Sequence, residues 1–361
     1  MIEQENKDRL EEPKFASVAV TGGAGFIGSN LLLRLVPKYP RVRFVNIDCL
    51  TYAANLSNLA SIESAENYSF ERVDIAESDT VRDCFARHDF DAVIHLAAES
   101  HVDRSIMGPR RFVETNVLGT FNLLESARAV MEEKPHFRFH HVSTDEVYGS
   151  LGETGYFTEE SSYDPNSPYS ASKAASDHLV NSYHVTYGLD TVITNCCNNY
   201  GPYQFPEKLI PLMVRNAVKR MKLPVYGDGS NVRDWLHVED HCAGLEAVFN
   251  QGRPGETYVI GGNCEVANID LVKQITAILQ KSLESEPLDS LIEFVADRPG
   301  HDHRYAIDAS KIRNELGWRP SYDFESGLQQ TIAWYLDNEE WVENCVSGEY
   351  RSYYEQMYTN R

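Results

Sequence analysis

The chain has 361 residues, 42% hydrophobic and 24% charged, the balance of an ordinary globular protein with room for one large α/β unit or two lobes. Its 54 Asp and Glu against 33 Lys and Arg leave a net charge of −21, which repels nucleic acid and anionic membrane, so neither is an expected partner; a small anionic substrate would need Arg and Lys gathered locally. No apolar run is long enough to cross a bilayer, and seven cysteines without a CxxC pair read as reduced thiols of a cytoplasmic protein, not as a disulfide frame or a zinc site.

The opening MIEQENKDRLEEPKF is too charged for a signal peptide and reads as a solvated extension, residues 1–15. SVAVTGG (17–23) is a β-branched run ending in glycine and is expected as a buried strand. FIGSNLLLRLV (26–36) has the apolar spacing of a helix, with Pro37 after it. VRFVNID (42–48), YSFERVD (68–74), AVIHLAA (92–98) and FRFHHVST (137–144) are expected as further strands, and RFVETNVLGTFNLLESARAV (111–130) as one long amphipathic helix. YSASKAASDHLVNSYHVTYG (169–188) reads as a helix ending at Gly188, and DTVITNCCN (190–198) as a strand. Strand and helix alternate, so the fold class expected is α/β: a Rossmann-like, doubly wound parallel sheet. Beyond NNYGPYQFPEKLIP (198–211) the elements become mixed. The expected organisation is a cofactor domain over 16–198 that carries the catalytic residues, then a smaller C-terminal α/β substrate lobe over 199–361. Some later strands are expected to return to the main sheet.

TGGAGFIG holds Gly22, Gly25 and Gly28 between a strand and a helix. The first glycine permits a tight turn, the second a close approach of pyrophosphate to backbone, the third close packing of helix on strand, with the helix N-terminus supplying free N–H groups. Alone the triplet is weak evidence, but Asp48 ends the next strand twenty residues after Gly28. A carboxylate there binds both ribose hydroxyls and repels a 2′-phosphate, which favours NAD over NADP. Asp74 ends the third strand in a similar way and could accept from the adenine amine.

Tyr169 and Lys173, four apart, share one helix face. A free tyrosine, pKa ~10, is a poor base at neutral pH, and a nearby ammonium is expected to lower that value. The pair can then take the proton of a sugar hydroxyl as hydride leaves the same carbon. Thr144, Asp145 and Glu146 follow a strand. An acidic pair in that position is usually a solvated loop or a helix cap; with Thr144 before it and Tyr169 after it, catalysis is favoured.

Together TGGAGFIG, HLAAESHVDRS, STDEVYG and YSASK resemble the extended short-chain dehydrogenase/reductases. Within that family TDEVYG, NNYGPYQFPEKLIP, VRDWLHVED and DRPGHDHRYAID are similar to the dTDP-glucose 4,6-dehydratases, from about Ser17 into the region of Leu328. The resemblance implies a hydro-lyase acting on dTDP-glucose with NAD: oxidation at C4, elimination of water across C5 and C6, and return of hydride to C6, giving dTDP-4-dehydro-6-deoxy-glucose. It implies Glu146 as the base at C5, Asp145 as the acid for the leaving hydroxyl, Thr144 on O4, and Tyr169 with Lys173 as the pair that takes the O4 proton. For NAD it implies Gly22, Gly25, Phe26, Ile27 and Gly28, then Asp48, Leu50, Thr51, Asp74 and Ile75. Leu96, Ala97, Ala98, Ser100, Thr115, Tyr169, Lys173 and Asn199 complete that set. For substrate it implies Ser100, Thr144, Asn198, Lys208, Leu209, Pro224, Val225, Tyr226, Arg233, Asn268, Asp297, Arg298 and His301. Arg233 and Arg298 suit a diphosphate, because guanidinium binds phosphate oxygens in a bidentate way. A homodimer is implied too, through helices at 111–130 and 169–188.

Other readings stay open: a dehydratase of another nucleotide sugar such as UDP-glucose, a 4-epimerase in which the two acids would lack a purpose, or a non-catalytic NAD-binding protein, which should have lost Tyr169 or Lys173. HDH (301–303) suggests a metal, but the reaction needs no Lewis acid and no distant third ligand is evident, so none is expected. His140 and His141 are expected to satisfy backbone neighbours, and Cys196 and Cys197 to be small buried residues, not nucleophiles. Cys197, and His237 in place of a more usual Tyr, depart from the family pattern.

Overall fold

Side chains of β-branched and apolar residues buried on both faces build the central sheet of the computed structural model, which describes residues 14–346. Most of the expected N-terminal extension, and the aromatic and acidic stretch after residue 346, lie outside the described residues. Strands β1 (Ser17–Thr21), β2 (Arg43–Asp48), β3 (Tyr68–Arg72), β4 (Ala92–His95), β5 (Arg138–Thr144) and β6 (Asp190–Cys196) lie in the order β3-β2-β1-β4-β5-β6. A later strand, Thr257–Ile260, pairs with β6 at the edge, and every pairing in this seven-stranded sheet is parallel. The order reverses direction at β1 and β4, which opens a crevice at the carboxyl ends of the strands. Thr21 pairs with His95 and His95 with His141, so β1 and β4 end level, while β5 and β6 run on together past them to Thr144 and Cys196.

Helix α1 (Phe26–Lys38) runs one residue past Pro37, which has no N–H to give the carbonyl of Leu33. The helix expected over 111–130 is not one α-helix. A short turn (Pro109–Phe112) leads into a π-helical segment, Val113–Gly119, and only then into a regular helix, Thr120–Met131. The wider turn coincides with the Asn116 amide: its Oδ1 accepts from Glu99 N (2.8 Å), and its Nδ2 donates to Glu99 O (3.0 Å) and Ser172 Oγ (2.8 Å). The helix that carries Tyr169, Pro168–Tyr187, has a Ser167–Ser170 capping box, proline at its first position and Gly188 (φ 74°) as its left-handed stop.

The rest of the second half forms a smaller lobe with a three-stranded sheet (Asn198–Tyr200, Val232–His237, Glu265–Ala267) and a two-stranded one (Leu223–Tyr226, Ile292–Val295). Its own core gathers Ile210, Leu212, Leu271, Ile275, Leu328 and Ile332. The last described helix, Glu339–Cys345, reaches back over the first half. Trp341 Nε1 donates to Asn58 Oδ1 (2.8 Å), and Val346 is buried against Phe205, Tyr52 and Ala53.

One buried cation ties three elements of the main domain together. Arg138 at the start of β5 is 1% exposed, ion-pairs with Asp190 of β6 (3.1 Å) and donates to the carbonyls of Phe249 (2.8 Å) and Gly252 (2.9 Å). Arg138→Met is expected to cost about 3 kcal/mol by stranding those acceptors, read as a lower midpoint of chemical unfolding; an unchanged midpoint would contradict the role.

Candidate active site

A cavity of about 310 Å³ follows the carboxyl ends of the strands. The glycine turn forms its floor. Gly22 has φ +70° and its backbone nearly touches the next loop: a Cβ there would sit 2.7 Å from Ala97 N. A Cβ on Gly28 would meet Gly22 O at 2.2 Å, so helix and turn pack as closely as the spacing requires. Gly25 caps α1 without any side-chain bond, leaving N–H groups of the first turn facing the cavity. Asp48 is buried at its far wall; its carboxylate accepts from Ala24 N (3.1 Å) and Leu50 N (2.8 Å) and keeps lone pairs for further donors.

Gly22, Gly25, Phe26, Ile27, Gly28, Asp48, Thr51, Asp74, Ile75, Leu96, Ala97, Ala98, Ser100, Thr115, Tyr169, Lys173 and Asn199 line this cavity. Leu50 does not: it turns at φ 60° and serves through its N–H on Asp48. These residues fit NAD. The glycine cradle admits a pyrophosphate, Asp48 is positioned for ribose hydroxyls, and the buried Oδ1 of Asn199 has no partner of its own.

β5 delivers the acids. It ends at Thr144, whose hydroxyl accepts from Glu146 N (3.3 Å) and so caps the 3₁₀ turn Asp145–Tyr148, closed by Gly149. The turn directs Asp145 inward, 2% exposed, with Thr144 Oγ1 3.4 Å from its Oδ1 and no partner for Oδ2. Burial, then Glu146, then Asp234 push the Asp145 carboxyl well above the usual carboxylate range. Burial raises Glu146 as well, but Arg298, Arg233 and Lys208 work against it. The proton of the pair therefore belongs on Asp145 and the charge on Glu146.

Tyr169 and Lys173 do share a face lining the cavity. Their coupling differs from the expectation. Burial and then the Glu146 charge push Tyr169 well above its ordinary value, and the hydrogen bond with Thr144 pulls it down. Burial lowers Lys173 to about 8, and its Nζ donates to Val142 O (2.9 Å). In this pocket desolvation outweighs the i, i+4 pairing.

A second cleft, about 170 Å³, lies towards the C-terminal lobe. Ser100, Asn198, Lys208, Leu209, Pro224, Val225, Tyr226, Arg233, Asn268, Arg298 and His301 line it together with Glu146. Thr144 faces only the first cavity. Asp297 is outside the lining and accepts from His301 Nδ1 (2.6 Å) and Arg298 N (2.8 Å), a support for two lining residues. The cleft and the cavity meet at Ser100, Glu146, Asn198, Glu207 and Lys208. Arg233 is 5% exposed, held by Val232 O (2.8 Å) and Asp302 O (2.9 Å) and stacked on Tyr305 (4.3 Å).

Sequence reasoning missed Glu207 at that junction, which accepts from Tyr52 OH (2.8 Å) and Arg104 Nε (3.2 Å). It also missed His101, Asp103 and Tyr305 in the cleft wall. His101 and Asp103 stand in the quoted HLAAESHVDRS, but that motif gives no direction for side chains on a helix start. His140 and His141 do not serve backbone neighbours. The sheet ladders occupy those groups, and the rings reach side chains: His140 to Thr194 Oγ1 (3.1 Å) and His141 to Asp177 (3.2 Å). Cys196 and Cys197 are buried, Cys196 with its thiol pushed up to about 12 and Cys197 also raised, so neither is a nucleophile at neutral pH. His237 lines neither space and stacks on Tyr322 (3.9 Å). No helix among the described residues is long and apolar enough to cross a membrane.

A family model described as GDP-mannose 4,6 dehydratase matches residues 19–331. A dTDP-glucose 4,6-dehydratase of Xanthomonas campestris pv. campestris is 55% identical over 344 residues, covering 93% of this chain and 97% of its own. A dTDP-glucose 4,6-dehydratase of Streptomyces venezuelae, solved with NAD bound, superposes with a TM-score of 0.84 at 48% identity, covering 91% of this chain and 99% of its own. The Bacillus anthracis enzyme of that name, also solved with NAD, gives 0.82 at 47%, with the same coverage. Likeness of this extent in both sequence and fold, centred on a turn that buries two acids beside a dinucleotide cradle, makes the chain a member of the dTDP-glucose 4,6-dehydratase family.

Proposed function

We propose that the protein removes water from dTDP-glucose, yielding dTDP-4-dehydro-6-deoxy-glucose, with NAD as a cofactor that is used and restored in each turnover. The observation that carries this reading is the Asp145–Glu146 pair: two carboxyls in one desolvated turn, where cofactor cavity and substrate cleft meet, with surroundings that drive their proton affinities apart. Moving a hydride off C4 and back needs Tyr169 and Lys173 but gives two acids nothing to do.

Bound NAD supplies the hydride acceptor for C4 and the hydride donor for C6. Tyr169 reacts from its phenolate form, which the Lys173 ammonium favours over the resting phenol, and takes the proton of the C4 hydroxyl, with Thr144 hydrogen-bonded to the same oxygen. The resulting C4 ketone acidifies the C5 hydrogen, and Glu146, held ionised by Arg298, Arg233 and Lys208, removes it as a proton. Asp145, held neutral by burial, protonates the C6 hydroxyl, which leaves as water. Glu146 then returns a proton to C5, and exchange with water passes the proton collected by Tyr169 to Asp145. The sum is loss of one water from the sugar.

Lys208, Arg233 and Arg298 supply the local positive charge that a diphosphate requires against a net charge of −21. We assign residues 16–198 to the cofactor and catalytic groups and most of 199–361 to the nucleotide. A homodimer is part of this reading: Val113, Leu118 and Phe121, on the segment that packs beside the Tyr169 helix, are 54%, 44% and 40% exposed, an apolar face suited to a second copy. A cytoplasmic setting agrees with seven unpaired cysteines.

Purified protein incubated with dTDP-glucose in D₂O, without added NAD, should give a product lighter by one water and carrying deuterium at C5. Dehydration of UDP-glucose alone would overturn the base assignment, and no product from any nucleotide sugar would overturn the reaction. Glu146→Gln should lose deuterium incorporation yet still oxidise C4, seen as reduced nicotinamide absorbance. Asp145→Asn should slow dehydration by about 10²-fold or more with that absorbance preserved; loss of C4 oxidation in both would contradict the division of labour. Because Glu146 must be ionised and its pKa is raised, the acid limb of kcat/KM is expected above the ordinary carboxyl value of 4.5. In sedimentation the protein should run as a dimer and Phe121→Glu as a monomer; a monomeric wild type would refute the interface.

A further inference from the structure

Behind the Tyr169–Lys173 face lies a row of ionisable groups that the steps above do not use. Lys173 Nζ is 3.4 Å from His141 Nε2, and the same nitrogen is 3.2 Å from Asp177 Oδ1. Asp177 stands one turn beyond Lys173 on the same helix. Lys173, His141 and Asp177 are 4%, 0% and 2% exposed, so no bulk water screens them from one another.

The hydrogen bonds fix the charges in this row. Asp177 Oδ2 accepts from Ser143 Oγ (2.9 Å), Tyr163 OH (2.9 Å) and Asn195 Nδ2 (3.1 Å). Three donors on one oxygen favour the carboxylate. Burial raises Asp177, and Lys173 followed by these donors works against that rise. Asp177 Oδ1 has no hydrogen-bond partner of its own and stands 3.2 Å from His141 Nε2, the ring nitrogen that accepts from the Lys173 ammonium (3.4 Å). The proton of the neutral ring is therefore left on Nδ1, which has no partner. Burial and then the Lys173 charge keep His141 neutral. The ring therefore fills the space between ammonium and carboxylate without adding charge.

The other titratable groups facing Lys173 supply no counter-charge at neutral pH. His95 of β4 is buried between the hydroxyls of Thr21 and Thr120 with its pKa driven down, Cys196 of β6 is a thiol, and Tyr169 on its own helix is a phenol. We propose that Asp177, held by Ser143, Tyr163 and Asn195, is the counter-charge that keeps Lys173 an ammonium in this dry pocket, and that Asp177 and His141 are positioning residues for the Tyr169–Lys173 chemistry. The inference rests on the dehydratase reading of that pair.

The test is a titration of the NAD-loaded protein with ¹³Cε-labelled lysine, alongside kcat/KM for dTDP-glucose against pH. The Lys173 resonance, identified by its loss in Lys173→Met, should titrate near the lowered value of about 8 in wild type, and the basic limb of kcat/KM should follow it. In Asp177→Asn both should move down by about one pH unit or more, since losing the carboxylate removes what favours the ammonium. His141→Gln, which can still accept from Lys173, should move them much less. If Asp177→Asn does not fold, His141→Leu, which strips an acceptor from the Lys173 ammonium, is expected to move both in the same downward direction. A folded, NAD-loaded Asp177→Asn or His141→Leu protein whose lysine titration and pH profile superpose on wild type would overturn the proposal. Wild-type protein inactive on every nucleotide sugar would overturn the dehydratase reading itself, and this inference with it.

Discussion

Two carboxyl groups in one turn cannot both be ionised cheaply once water is excluded, and the site is organised around that constraint. Asp145 has a buried oxygen without a partner and a third acid, Asp234, near enough to raise it further. Glu146 faces three cations from the other lobe. One acid is thereby kept as a proton donor and its neighbour as a base within a single 3₁₀ turn. A solvated acidic pair would titrate together near the ordinary values and could not divide the work.

The fold provides this asymmetry by bringing two lobes to bear on one strand end. β5 carries the acids beyond the end of β4, towards the glycine turn on β1 and across from the helix that bears Tyr169 and Lys173. The cations arrive from chain far downstream: Lys208 just ahead of helix Leu209–Val218, Arg233 from the three-stranded sheet, Arg298 from the loop after Ile292–Val295. The two lobes therefore do more than hold separate ligands, because the smaller one sets the protonation of groups carried by the larger. The C-terminal helix reinforces this arrangement by joining Asn58 and Tyr52 of the first half to Phe205 of the second.

Much of this was legible in the sequence. The main strands, the Gly188 stop, the glycine turn with Asp48, and the Thr144–Asp145–Glu146 run all follow from local patterns that tertiary context left intact. What was not legible depended on contacts distant in sequence. The π-turn at Val113–Gly119 accompanies the bonds of one amide, Asn116, to Glu99 and Ser172, and apolar spacing carries no trace of it. Tyr169 and Lys173 share a face, yet the effect of one on the other depends on burial, which spacing cannot report. Glu207 sat between Pro206 and Lys208 with nothing local to mark it; its importance comes from Tyr52 and Arg104, both far away in the chain.

The central claim is that Asp145 is neutral and Glu146 ionised at neutral pH, and infrared difference spectroscopy of the carboxyl stretch addresses it directly. The account predicts a protonated-carboxyl band at pH 7 that disappears in Asp145→Asn and persists in Glu146→Gln. A band that survives in Asp145→Asn and vanishes in Glu146→Gln would contradict it, and would reverse acid and base in the elimination.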